Sequence, residues 1–169
     1  MVAIKRLFTL LSGAFLIFSL NGCTNQTEIV GKSFAPSVNE AKEYTLKNGL
    51  LKSIDIVRRT PPGPVVTMLI GKDGEGNEKI VWLDGDSKGY IHLTGSVLLK
   101  DGMAKNEILS KIKEKGFDSD TIEDIYVAPQ DYNAKRIVWC VHMKGPDQHS
   151  FVFDFKTGEL LVEHYQKSF

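Results

Sequence analysis

Neither sign of charge is in excess in these 169 residues: 21 Lys and Arg stand against 21 Asp and Glu, so there is no basic surplus to neutralise phosphates. Nucleic acid is therefore not an expected partner. Cysteine is nearly absent, with only Cys23 and Cys140 present, which excludes a disulfide framework and leaves stability to packing. Long hydrophobic runs are also missing. The apolar stretch at 7–20 falls short of the roughly 20 residues a membrane helix needs, and Ser12 and Gly13 interrupt it. Familiar ion and phosphate loops fail on inspection. Asp84-Gly85-Asp86-Ser87-Lys88-Gly89 opens like a calcium loop, but its fifth place is the cation Lys88 and its twelfth is Gly95, which has no carboxylate to offer. The same glycines lack the spacing and the following Ser or Thr of a phosphate loop. No cofactor is expected, and a hairpin turn accounts for this segment.

What is present starts with Lys5 and Arg6, the apolar stretch 7–20 and the string Leu20-Asn21-Gly22-Cys23, the three parts of a secretory signal. That string resembles the bacterial lipobox. The resemblance implies cleavage before Cys23, diacylglycerol on its sulfur and usually a further acyl chain on the new amino terminus. Buried acyl chains contribute about 0.8 kcal/mol per CH₂, so two or more hold a protein effectively permanently. The expected location is the cell membrane, anchored by lipid on the extracytoplasmic face; Thr24 in place of an Asp leaves the outer membrane open in a diderm cell. Loss of Lys5 and Arg6 with the signal makes the mature chain slightly acidic, and acylation of Cys23 leaves Cys140 without a disulfide partner.

Residues 24–33 are polar and aperiodic, as in a tether. Ser37 to Glu40 reads as a capping box and Asn48-Gly49 as a stop, which predicts a helix between them. A second helix is predicted from Asp101 as cap to Gly116, with Ala104, Ile108, Leu109 and Ile112 on its apolar face and Glu107 paired with Lys111. Each helix precedes four short strand patterns punctuated by Gly, Pro, Asn and Asp: 53–59, 65–70, 79–83 and 90–99, then 121–127, 136–143, 150–155 and 159–165. The segments around Trp82 and Phe153 match at a spacing of roughly 70 residues, longer than most solenoid repeats. The expected organisation is a signal peptide (1–22), a lipid-anchored tether (23–33), a first helix-plus-sheet unit (34–100) and a second (101–169). The fold class is α+β, with each helix packed on a curled antiparallel meander.

The second unit, with its amphipathic helix, Ile137-Val138-Trp139-Cys140-Val141 and Phe151-Val152-Phe153-Asp154-Phe155-Lys156-Thr157-Gly158-Glu159-Leu160-Leu161, resembles the PepSY family. The first unit resembles it more faintly, and the tandem behind an anchor looks like the YpmB-like group of surface proteins with two cystatin-like units. That resemblance implies a non-enzymatic module that modulates a peptidase or the cell-wall synthesis machinery. Its motifs are structural and carry no reacting group.

The residues themselves offer two further candidates. Cys140 and His142 share a strand face, and a regular hairpin would set His149 opposite His142, giving a thiol–imidazole pair or a soft-metal site, hence the alternative of a small surface hydrolase or thiol protein, beside that of a structural surface lipoprotein with no dedicated ligand. Against it, a small Cys in an apolar strand ordinarily behaves as a buried hydrophobe. Arg58 and Arg59, helped by Lys88, form a candidate contact for an anionic wall polymer or headgroup, although adjacent strand residues point to opposite faces. Trp82 and Trp139 are expected in the core, and His92 and His164 on the surface.

Overall fold

Ser37 sits in extended backbone; its Oγ accepts the Glu40 N–H at 3.4 Å while Glu40 Oε2 accepts the Ser37 N–H at 2.9 Å. This reciprocal pair satisfies two donors that the first helical turn leaves free, and so starts α1 (Val38–Lys47). Asn48 and the left-handed Gly49 (φ 65°) end it. Two side chains staple the entry of α1 to the sheet beneath: Thr67 Oγ1 donates to the Pro36 carbonyl at 2.7 Å and Arg59 Nη2 to the Ala35 carbonyl at 3.3 Å. The computed structural model describes residues 34–60, 66–131 and 134–167; the signal sequence, Cys23, the tether to residue 33 and the proline loop at 61–64 lie outside the described residues. Among the described residues no helix is long and apolar enough to cross a membrane.

The first sheet contains β1 (Ser53–Arg59), β2 (Thr67–Lys72), β3 (Glu78–Gly85) and β4 (Ile91–Leu98), antiparallel in chain order. A short 3₁₀ turn, Leu99–Asp101, leads to α2 (Lys105–Glu114), and the second sheet follows with β5 (Ile122–Pro129), β6 (Ile137–Met143), β7 (Gln148–Asp154) and β8 (Leu160–Gln166), again in order. The α+β class and the two four-stranded antiparallel meanders are thus present.

The second helix starts later than its sequence signal. Asp101 is not its cap: Met103 donates its N–H to the Phe155 carbonyl at 2.8 Å and accepts the Trp139 indole N–H at 3.1 Å, which holds this stretch extended against the second sheet. Helical bonding therefore begins only after Ala104, whose N–H is taken by Glu107 Oε2 at 2.8 Å, so Glu107 turns back to the cap. Ile108 and Ile112 are fully buried, and Gly116 (φ 91°) closes the helix.

Period-two alternation sorts the side chains of the first sheet. Leu69, Val81 and Leu83 join Leu51 and Ala41 of α1 in one cluster. The opposite face sends Val66, Met68, Ile80 and Trp82 into a larger core shared with Ile108 and Ile112 of α2 and with the Trp139 and Phe151 rows of the second sheet. Residues 34–169 form one compact body, and the 3₁₀ turn at Leu99–Asp101, where the sequence divides at 100/101, lies beside a core that runs through both halves.

Candidate binding site

Along β6, Val138, Cys140 and His142 occupy one face, while Trp139, Val141 and Met143 turn into the core. Register sets Tyr126 beside Cys140 and Asp124 beside His142. The Tyr126 hydroxyl lies 3.2 Å from His142 Nε2, and the two rings stack at 5.8 Å. Arg58, from β1, covers the Tyr126 ring at 4.5 Å and grips Asp124 with two parallel bonds, Nη1–Oδ1 and Nη2–Oδ2, both 3.0 Å. A fork of this geometry uses the guanidinium on Asp124, so Arg58 ties the edge strand of one sheet to that of the other and is not presented to an external anion. Arg59 turns to the α1 side to reach Ala35, and Lys88 is exposed in the β3–β4 turn with β2 lying between it and Arg59. Arg58 and Arg59 thus point to opposite faces of β1, as the alternation requires.

His149 is likewise separated from the thiol. The hairpin pairs His142 with Ser150, one residue beyond the regular register expected, and a one-residue slip sends a side chain to the opposite face. His149 lies on the α2 side, in edge contact with Phe117 at 4.9 Å and hydrogen-bonded to Glu163 Oε1 at 3.1 Å, while Lys115 holds Glu163 Oε2 at 3.0 Å. Hydrogen bonds from Lys115 and then His149 hold the Glu163 carboxyl below its ordinary range. Among the described residues no group of three or more His, Cys, Asp or Glu is placed to hold a metal ion.

Burial pushes the Cys140 thiol up to about 11, against the opposing hydrogen bond from Tyr126, and burial raises Tyr126 as well. The neutral thiol is thus the resident form. In a Cys23→Ser chain, Cys140 should react with a disulfide reagent at pH 8 about 100-fold more slowly than a free cysteine whose pKa is near 8.5, as a stopped absorbance assay would show. Because the folded value lies above the unfolded one, the stabilisation from the neutral thiol is complete below about pH 9 and is lost as pH rises toward 11, so melting temperature should fall over that window.

A different feature has the geometry of a binding site. At the Leu98 end of the outer strand β4 lies a solvent-open cleft of about 810 Å³, lined by Ser96, Val97 and Leu98 of β4, by Lys79 of β3, by Asp73 and Glu75 of the β2–β3 turn, and by Asp101 and Lys156. Among the described residues β4 is paired on one side only, with β3, so its other edge presents backbone donors and acceptors. The turn that forms one wall is pinned. Asp73 Oδ1 accepts the N–H groups of Glu75 and Asn77, both at 2.9 Å, and Lys100 Nζ donates to Asn77 Oδ1 at 2.9 Å. The other wall is the Lys156-Thr157-Gly158 turn, whose N–H groups at Lys156 and Thr157 are gathered by Asp154 Oδ1 at 3.0 and 2.9 Å. Both walls are therefore rigid turns, and they come from different halves of the chain. Sequence reasoning reads both as turns without seeing that they face one cleft, because residues 73 and 156 are adjacent only in the fold.

No family model and no curated protein matches this chain. Among solved structures it is similar to the YpmB protein from Bacillus subtilis, with a TM-score of 0.59 and 22% identity over 76% of this chain and 97% of that one. The chain has a YpmB-like fold. At this identity the likeness concerns architecture: a mixed α+β fold which, among the described residues, has two antiparallel four-stranded sheets and two α-helices.

Proposed function

We propose that the protein is a non-enzymatic binding or regulatory module, lipid-anchored through Cys23 outside the cytoplasm, built from two PepSY- or cystatin-like units and acting on a surface peptidase or the cell-wall synthesis machinery. The observation that carries the binding reading is the cleft at the Leu98 end of β4, between the 73–75 turn and Lys156, next to the strand's outer edge. An extended segment of a partner adds there as a fifth strand: its backbone pairs with Ser96–Leu98, Val97 and Leu98 offer apolar contact, and Lys79, Lys156, Asp73, Glu75 and Asp101 select its charged side chains. The alternative, a small hydrolase or thiol protein using Cys140 and His142, keeps both residues on one face of β6, but burial favours the neutral thiol.

The test is photocrosslinking in intact cells. A benzoyl-phenylalanine at the exposed Ser96 should capture a discrete surface protein, and one at the exposed Glu43 of α1 should not. Charge reversal of Lys79 and Lys156 together should abolish the Ser96 adduct. Equal capture from both positions, or an adduct indifferent to the reversal, would rule out the cleft. A Cys140→Ala chain should keep the same adduct.

A further inference from the structure

The start of the folded body carries an unpartnered apolar patch. Phe34, Val38, Tyr90 and Leu93 are exposed by 45%, 47%, 65% and 44%, four of the larger apolar side chains left open to solvent. They gather at one pole. The Phe34 carbonyl crosses so close over Gly85 that a Cβ there would collide with it, and the Tyr90 carbonyl lies 3.5 Å from the same point. Leu93 pairs with Leu83, two residues before Gly85 on the same face of β3, and Val38 opens α1 four residues after Phe34. The β3–β4 turn beside Tyr90 exposes Lys88, its backbone fixed because Asp86 Oδ1 accepts the N–H groups of Lys88 at 2.8 Å and Tyr90 at 3.0 Å.

We infer that this pole rests on the lipid bilayer, Phe34, Tyr90 and Leu93 entering the interface and Lys88 meeting anionic headgroups. The inference rests on acylation of Cys23. Eleven residue steps separate Cys23 from Phe34, so the chain between them cannot span more than about 38 Å even fully drawn out. A body of 136 residues has a diameter of about 37 Å. The opposite pole thus reaches the bilayer only with the connection pulled taut, whereas the Phe34 pole meets it at any shorter extension. Aromatic and aliphatic side chains flanked by a lysine suit the boundary between headgroup and acyl chain. The same orientation holds the walls of the β4 cleft at Asp73 and Asp101 away from the lipid, because Lys79 and Leu98 pair at the end of β3 and β4 remote from Gly85 and Ile91.

The experiment uses the full chain, purified with its native amino terminus and reconstituted in vesicles of phosphatidylethanolamine and phosphatidylglycerol at 7:3 (roughly a quarter to a third anionic). A fluorescent amino acid is placed at position 90 in one preparation and at position 75 in another, and quenching by a headgroup nitroxide lipid is read. Position 90 should be quenched several-fold more strongly than position 75. Phe34→Ser with Leu93→Ser, both exposed and checked for an unchanged melting temperature, should remove most of the difference at position 90. Equal quenching at the two positions, with mass spectrometry showing acyl chains on Cys23, would overturn the orientation and leave the anchor standing. An unmodified Cys23 would sink the anchor itself, and the orientation with it.

Discussion

Replacing Trp82 by Ala should cost about 3 kcal/mol and unfold both halves of the molecule earlier, in one transition. Trp82 belongs to the first sheet but is fully buried in the core that Phe151, Phe153 and Trp139 build from the second. Losing so large a side chain removes its dispersion contacts and leaves a cavity that the surrounding strands cannot fill, worth about 3–5 kcal/mol in comparable cores. The lower end applies here because the Trp82 indole N–H finds no acceptor among the described residues, and an unsatisfied buried donor already costs about 1–3 kcal/mol. For the same reason Trp82→Phe should be much milder. The measurement has a built-in reporter, since the chain has two tryptophans and the variant keeps only Trp139, in the second half. Its fluorescence transition and the far-ultraviolet dichroism should shift together by roughly 10 °C. A Trp139 transition left in place would mean that the halves unfold independently.

Gly71→Ala should destabilise by about 3 kcal/mol, through backbone and not through side-chain packing. A Cβ at Gly71 would collide with the Ser53 carbonyl oxygen, with its carbon 2.8 Å away and Ile54 Cα at 3.0 Å, all of them main-chain atoms of β1. No rotamer change relieves such an overlap; β1 has to separate from β2. The contact sits beside the irregular register between Ile54 and Ile56, where β1 bends over its neighbour. Native-state hydrogen exchange should show β1 amides losing protection while β7 amides keep most of theirs. Gly74→Ala in the adjoining turn is the control: its Cβ meets nothing within 4 Å, and stability should change by less than about 0.5 kcal/mol. Equal loss from both substitutions would locate the effect in turn flexibility and not in the close approach of the strands.

Local chemistry in this chain is strongly legible. The Ser37 to Glu40 cap, the stop at Asn48-Gly49, both tryptophans in the core and the series of strands all follow from turn residues and period-two alternation acting within a few positions. The failures occur where distant segments decide. Asp101 has a good capping side chain, but Phe155 and Trp139 hold Met103 extended and delay the helix, and those partners lie more than thirty residues away. His149 depended on a hairpin register that four loop residues shifted by one place. Arg58 reads as a free surface cation until its carboxylate appears at Asp124, on another sheet. The cleft was illegible for the same reason, being assembled from two turns that each look like plain punctuation.

The staples at the entry of α1 have a mechanical meaning. Ala35 and Pro36 are fastened by Arg59 to β1 and by Thr67 to β2, so tension arriving from the residues ahead of Phe34 loads two side-chain links anchored in the sheet before it can unwind the first helix. Thr67 is only 1% exposed, which shields its link from competing water. A tug at the amino-terminal end is borne as shear across two strands, and the helix behind them is spared.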